Sequence, residues 1–463
     1  MQYVLYIEKE CYMSENLSTT KPRDSFKSNL GFVLATAGSA VGLGNLWRFP
    51  YMTGTSGGGA FVLVYLIIMV VVGVSLLLVE FTVGRHGKAN AVDSYKKIHP
   101  AMQWVGYLGF FSAFIFLSYF SVVGGWTIHY SIKSITGLVS LSPDEMGGVF
   151  GAFIGNPGLP LLYHLLFMAA TVFIIAKGIS GGIEKYTKIL MPALFVMMLA
   201  LLLRAVTLPG AVEGIKWYLT PDFSKITAGT WVAALGQVFF SLSVGMSGMV
   251  TYASYLNKKE NLIKTALQVS LTDTLVAILA GFMIFPAVFA FSMEPSQGVG
   301  LLFVSLPAVF SQMPAGGLFS FIFYVLVFIA ALTSSISILE MPVSYIIEKK
   351  QVSRVKAALI VGGISFILGI AVSFSFGIWG NFQVFGMNIF GLFDYFGSNI
   401  SLPLGALGGA IAVGWFWKKK GAVAEVSNDG QLNNTLSVGW FNLVKWIIPI
   451  FIFIVFIASI GIL

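Results

Sequence analysis

The chain has 463 residues, of which 57% are hydrophobic and only 10% charged, against roughly 25% charged in an ordinary soluble domain. So few charges cannot cover a soluble surface, and apolar runs of about 18 or more residues recur along the chain, as bilayer spans require. A soluble enzyme, a nucleic-acid binder and a secreted disulfide scaffold are thereby excluded; the formal charge of +8 sits at the ends of apolar runs, where it reads as membrane topology.

Residues 1–28 are polar and carry Lys9, Lys21, Arg23 and Lys27, with no compact apolar core ahead of a small-residue cleavage site. They read as a cytoplasmic segment and not as a cleavable signal. Met13 opens a second plausible start, which would make residues 1–12 dispensable. Cys11 is the one cysteine, so no intrachain disulfide is possible. Eleven spans follow, near 30–53, 60–84, 102–132, 161–177, 186–206, 229–256, 264–291, 317–347, 357–375, 386–417 and 440–461. The third and tenth are long enough to be tilted single helices or helix plus loop.

Charge placement tests this register. With the N-terminus inside, all but five of the 27 Lys and Arg fall on inner segments. Lys133, Arg204, Lys216 and Lys225 fall outside, and Arg48 lies within a span. That bias supports the register, and an odd number of spans puts the C-terminus outside. Two outer loops are unusually apolar. Residues 207–228 carry Trp217, Tyr218, Pro221 and Phe223, and residues 292–316 carry Pro295, Pro307, Pro314 and the stretch Val299 to Phe310. Each fits either a lid packed on the bundle or an interfacial helix.

The first span contains Gly42-Leu43-Gly44-Asn45 at its middle, and the sixth contains Ser243-Val244-Gly245-Met246-Ser247-Gly248 at the same depth. A Gly costs about 1 kcal/mol against Ala in a helix, and in a bilayer the freed backbone must find other partners. One such cluster is ordinary small-residue packing. Two at matching places point to a transporter built from inverted repeats of five spans each, with an eleventh span outside them. A helix broken at mid-membrane presents N–H groups and positive dipole to a carboxylate, and bare carbonyls to a hard cation such as Na⁺.

The run Gly38-Ser39-Ala40-Val41-Gly42-Leu43-Gly44-Asn45-Leu46-Trp47-Arg48-Phe49-Pro50-Tyr51, followed by Gly57-Gly58-Gly59-Ala60-Phe61, closely resembles the opening signature of the neurotransmitter:sodium symporter family. So do Gly236-Gln237-Val238-Phe239-Phe240-Ser241-Leu242-Ser243, Thr251-Tyr252-Ala253-Ser254-Tyr255 and Leu332-Thr333-Ser334-Ser335. The likeness covers essentially the whole chain and matches bacterial members that have eleven spans. It implies an all-α bundle of five plus five helices: a segment 1–28, repeats at 29–210 and 211–420, and an eleventh span with its connector at 421–463.

By position, the resemblance implies two sodium sites. One comprises the Ala40 carbonyl, Asn45, Ser241 and Asp273; the other comprises the carbonyls of Gly38, Val41 and Ala330 and the hydroxyls of Thr333 and Ser334. The substrate carboxylate would meet the N–H groups of Leu43 and Gly44. Its ammonium would meet the carbonyls of Ala40, Phe240 and Ser241 and the Ser243 hydroxyl. Phe116, Phe240, Met246, Ser334 and Ile338 would wall the side-chain pocket. The family's substrate-binding tyrosine falls on Phe120, with Tyr119 beside it, so either Tyr119 reaches the carboxylate or that bond is absent. Mid-helix Thr333 and Ser334, taken alone, would equally bond their own backbone.

The resemblance also implies an outer gate of Arg48 with Asp394 and an inner gate of Arg23, Phe26 and Glu348. Gly182 and Pro192 in the fifth span match a Gly-x₉-Pro spacing thought to let the inner end unwind; a packing kink accounts for that spacing nearly as well. The expectation is therefore a sodium-coupled amino-acid importer in the cell membrane, carrying two Na⁺ by alternating access. It would prefer large hydrophobic or aromatic L-amino acids, need no chloride, and possess a carboxylate at Asp273 able to take a proton on the return step. A non-transporting sensor of the same fold and an ion channel are the alternatives. The chain shows no ring of repeated charges, and His86, His99, His129 and His164 have no metal-site spacing, so neither a channel nor a membrane enzyme is favoured.

Overall fold

The computed structural model describes residues 24–291, 300–432 and 434–460. Cys11, Met13 and Arg23 lie outside the described residues. In chain order the helices are α1 (Asn29–Ala40), α2 (Gly44–Thr55), α3 (Gly59–Gly87), α4 (Ala91–Ile98), α5 (Pro100–Ile135), α6 (Met146–Gly155), α7 (Leu159–Ala176), α8 (Ile179–Val206) and α9 (Ala211–Leu219). They continue with α10 (Ala228–Leu242), α11 (Gly248–Ala253), α12 (Leu262–Ala290), α13 (Leu301–Ser311), α14 (Gly316–Lys350), α15 (Arg354–Phe374), α16 (Ile389–Phe416), α17 (Lys419–Val426) and α18 (Thr435–Ser459).

Among the described residues nine helices are long and apolar enough to cross a membrane by themselves. The pair α1 and α2, bent by 46°, supplies the first span, and α10 and α11 lie where the sixth is expected. Among the described residues ten of the expected spans thus meet that test, and the sixth corresponds to two shorter helices separated by a break. The third is a single continuous helix. The tenth begins only at Ile389, after a turn closed by a bridge between Val384 and Met387. The fifth begins at Ile179, seven residues before the expected 186, because the wide turn Ile179–Glu184 carries the chain straight into Lys185–Val206.

Glycines let these helices approach closely. A Cβ on Gly124 would meet the Phe167 ring at 2.4 Å, and one on Gly125 the His164 backbone at 2.6 Å, which brings α5 against α7. The two apolar loops resolve differently. Of α13, Leu301, Leu302, Phe303, Ala308 and Val309 are fully buried, as a packed lid requires and an interfacial helix does not. On α9, Ala211, Gly214 and Tyr218 face α12 while Val212 and Leu219 are exposed.

At that end of the molecule an aromatic layer joins three elements. Phe150 of α6 stacks on Phe303 of α13 at 5.5 Å, and Trp126 of α5 lies edge-on to both. His129 of α5 stacks on Phe153 of α6 at 3.9 Å. At the opposite, Lys-rich end, the fully buried Arg85 donates from Nε to Glu425 Oε1 at 2.6 Å and from Nη1 to the Glu260 carbonyl at 2.6 Å. This holds α17, and with it the approach to α18, onto the loop that follows the sixth span.

Candidate functional site

The two breaks meet at the centre of the bundle. After α1 the backbone turns extended at Val41, with φ −72° and ψ 97°. After α10 it passes through three left-handed residues, Ser243, Gly245 and Ser247. Between them lies a small cavity. Its wall contains Ala40, Leu43, Gly44, Phe116, Phe120, Phe240, Ser243, Met246, Ser334 and Ile338, all expected there, together with Ser39, Gly42 and Leu402, which were not. The wall is apolar apart from three serine hydroxyls and exposed main chain. It excludes Tyr119, whose ring packs on Phe390 at 5.7 Å and whose charged neighbours are Asp394 and Arg48. Of the two positions left open, Phe120 lines the cavity, and Tyr119 lies towards Asp394 and Arg48.

Beside the cavity, Asp273 of α12 is completely buried. Its carboxylate accepts from Ser241 Oγ at 2.8 and 2.9 Å, from Asn45 Nδ2 at 2.8 Å and from Tyr65 Oη at 3.4 Å. Asn45 Oδ1 accepts from the Gly42 N–H at 3.1 Å. The structure thus gathers Asn45, Ser241 and Asp273, as expected, and adds Tyr65. Among the described residues no cation lies within ion-pair distance of Asp273, so this buried carboxyl group is held by neutral groups alone, and its ionised form would be costly there.

Ser39 ties the first span to the sixth and eighth. Its carbonyl accepts from Ser334 Oγ at 3.0 Å and Ser243 Oγ at 3.5 Å, and its hydroxyl pairs with Ser337 at 2.5 Å. A Cβ on Gly38 would sit 3.4 Å from Thr333 Cβ and 3.2 Å from Met191 Sδ, so Gly38 and Thr333 are neighbours. Thr333 Oγ1 bonds the Ile329 and Ala330 carbonyls of its own helix at 3.0 and 3.1 Å.

Sequence reasoning missed Glu80. This buried carboxylate of α3 accepts from the Gly245 N–H at 2.6 Å and the Val250 N–H at 3.3 Å, supplying the partners that the sixth-span break needs. A lone acid within the apolar span 60–84 was the available signal.

Towards the outer end, Arg48 donates to the Gly236 carbonyl at 3.1 Å and Gln237 Oε1 at 3.4 Å, and its guanidinium lies over the Phe240 ring at 4.8 Å. Asp394 accepts from Ser398 at 3.1 Å and is not within 4 Å of Arg48 among the ion pairs of the described residues. At the Lys-rich end Phe26 is buried against Phe32, Tyr252 and Tyr255. Glu348 accepts from the Asn90 N–H at 2.8 Å.

The segment before α1 is fastened to the start of α8. Asp24 accepts from the Ile179 N–H at 2.6 Å, and Glu184 accepts from the Lys27 N–H at 2.7 Å and from Ser28 Oγ at 2.8 Å. Gly182 lies in the same turn, where a Cβ would come 2.2 Å from the Ile174 carbonyl. Pro192 sits inside α8 next to Met191, the residue that touches Gly38.

The family model of the sodium:neurotransmitter symporter family matches residues 23–142 and 151–463. The chain belongs to the sodium:neurotransmitter symporter family. The sodium-dependent transporter YhdH of Bacillus subtilis is 41% identical over 96% of this chain and 100% of its own length. A sodium-dependent transporter of Haemophilus influenzae is 43% identical over 96% and 99%. The crystal structure of MhsT in complex with L-phenylalanine matches with a TM-score of 0.88 at 43% identity, covering 94% of this chain and all of that one. The symporter fold, with its first and sixth helices discontinuous, is therefore shared along nearly the whole chain, and sodium-coupled transport is the activity the family carries.

Proposed function

We propose that this symporter imports large apolar or aromatic L-amino acids with two Na⁺ by alternating access, across the cell membrane and without chloride. The observation that carries the reading is the cavity itself: main chain from both helix breaks on one part of its wall, and Phe116, Phe120, Phe240, Met246 and Ile338 on the rest. Main-chain N–H groups and carbonyls suit the zwitterion that all amino acids share. Apolar walls without a charge leave a charged side chain desolvated and unpaired. The binding of L-phenylalanine by MhsT supports the same class of substrate.

The first Na⁺ would bind Asp273, Ser241, the Asn45 amide oxygen and the Ala40 carbonyl. Its charge would offset that of Asp273, which has no cationic partner among the described residues, and Asn45 would turn its oxygen to the ion in place of Nδ2. The second would bind the carbonyls of Gly38, Val41 and Ala330 with Thr333 and Ser334. Since Asp273 already provides the one negative group this region requires, a chloride there would add repulsion, and a proton could neutralise the acid once Na⁺ leaves. Arg48 with Asp394 would close the outer side. Phe26 and Glu348, together with Arg23, which lies outside the described residues, would close the inner one, and Gly182 and Pro192 would let the start of α8 unwind.

Uptake of labelled amino acids into proteoliposomes under an imposed Na⁺ gradient tests the reading. Phenylalanine, leucine and tryptophan should accumulate and displace one another, and glycine and glutamate should not. Replacing chloride by gluconate should leave the rate within about twofold, whereas Asp273→Asn should lose most of its sodium affinity in gluconate. A large loss of wild-type rate without chloride refutes the chloride claim. Binding without accumulation refutes transport in favour of a sensor.

A further inference from the structure

The tenth span was expected to supply only Asp394, yet it enters the cavity. Leu402 is part of the wall and is only 1% exposed. The helix arrives there through a wide turn at Phe396–Ser401, followed at once by Pro403 in the next helical turn.

Four contacts fix that stretch. A Cβ on Gly397 would lie 2.8 Å from the Phe116 ring. Ser401 is hydrogen-bonded to Ser112 of α5. The Leu402 carbonyl stands 2.1 Å from where a Cβ on Gly245 would be, and the Gly245 carbonyl stands 1.8 Å from a Cβ on Gly405. Gly245 has φ +92°, so other residues are disfavoured there by conformation as well as by space. Main chain lies directly on main chain at this crossing, and α16 cannot shift towards or away from the sixth-span break without losing these contacts. The neighbouring Met246 has an adaptable side chain in a segment that is not helical. Leu402 is its opposite, a branched side chain on a helix clamped from two sides.

We infer that Leu402 is a specificity-determining residue: it sets the largest substrate side chain that the pocket accepts, while Met246 adjusts to shapes below that limit. This rests on the amino-acid reading above. A hydrophobic pocket discriminates by about 10- to 200-fold for each methylene gained or lost, so truncating or enlarging one wall residue moves relative affinities by at least tenfold.

The test is competition against a labelled amino acid at fixed Na⁺, in wild type, Leu402→Ala, Leu402→Phe and the volume-conserving Leu402→Met. Leu402→Ala should shift the tryptophan-to-leucine affinity ratio about tenfold towards tryptophan. Leu402→Phe should shift it about tenfold the other way and favour alanine and valine. Leu402→Met should stay within about threefold of wild type, and half-saturating Na⁺ should be the same in all four. Opposite shifts in the two size variants cannot come from general loosening, which would weaken every substrate and sodium together. Unchanged ratios in both variants, or shifts in one direction only, overturn the proposal. If no amino acid binds the wild type, the underlying reading falls and this inference with it. If Leu402→Ala and Leu402→Phe fail to fold, the ratio is read in Leu402→Val and Leu402→Met, where a change below twofold in the valine variant overturns it.

Discussion

At the scale of single residues, the two buried acids Asp273 and Glu80 solve different problems. Asp273 is surrounded by neutral donors of the cavity region. Glu80 completes main chain that the sixth-span break would otherwise leave bare. Removing it strands the N–H groups of Gly245 and Val250, at about 1–3 kcal/mol for each unsatisfied donor. Glu80→Ala should therefore lower the melting temperature of the purified protein and weaken substrate binding together. Glu80→Gln, which keeps one acceptor oxygen, should recover much of both. An alanine variant as stable as wild type would show that the break does not depend on this carboxylate. The partnership was not legible in the sequence, because its acceptor lies 165 residues from its nearest donor and its donors are main chain, which has no letter of its own. The gathering of Asn45, Ser241 and Asp273 was legible, but only through motif resemblance.

Among elements, the breaks in the first and sixth spans could be read directly, since paired Gly clusters at mid-membrane weaken a continuous helix at matching depths. Their surroundings could not. Leu402 is one more leucine in an apolar run, and nothing in the spacing says that α16 packs main chain against Gly245. The separation of Arg48 from Asp394 depends on how two helices are placed, which composition does not fix. Asp24 and Glu184 looked like ordinary end charges, yet they tie the chain before α1 to the turn that opens α8. Losing Glu184 removes the acceptor for the Lys27 N–H and Ser28, and a net hydrogen bond is worth about 1 kcal/mol. Two such bonds correspond to roughly a tenfold or greater rise in local opening. Amide hydrogen exchange across residues 179–188 should speed up by that factor in Glu184→Ala and remain unchanged elsewhere. Wild-type exchange in that turn would mean the tie contributes nothing to holding α8.

For the whole molecule, the basic end is held by a charge pair that composition hides among the positive-inside lysines. Arg85 is buried with Glu425, so Glu425→Ala leaves an unpaired buried cation and should cost about 3–5 kcal/mol of stability in denaturant titration. The double variant Arg85→Met with Glu425→Leu should regain most of that loss, because the pair's desolvation disappears along with its attraction. A double variant as unstable as the single one would mean the pair is worth more than its cost.

The aromatic layer at the other end bears on the cavity. Phe150 and Phe303 stack on each other and Trp126 braces both, so α6 and α13 are packed onto α5. Towards the same end Arg48 of α2 and Asp394 of α16 form no ion pair among the described residues. Phe116 of that same α5 lies against Gly397 of α16 and Phe240 of α10, so the bracing at that end is passed straight to the walls of the cavity.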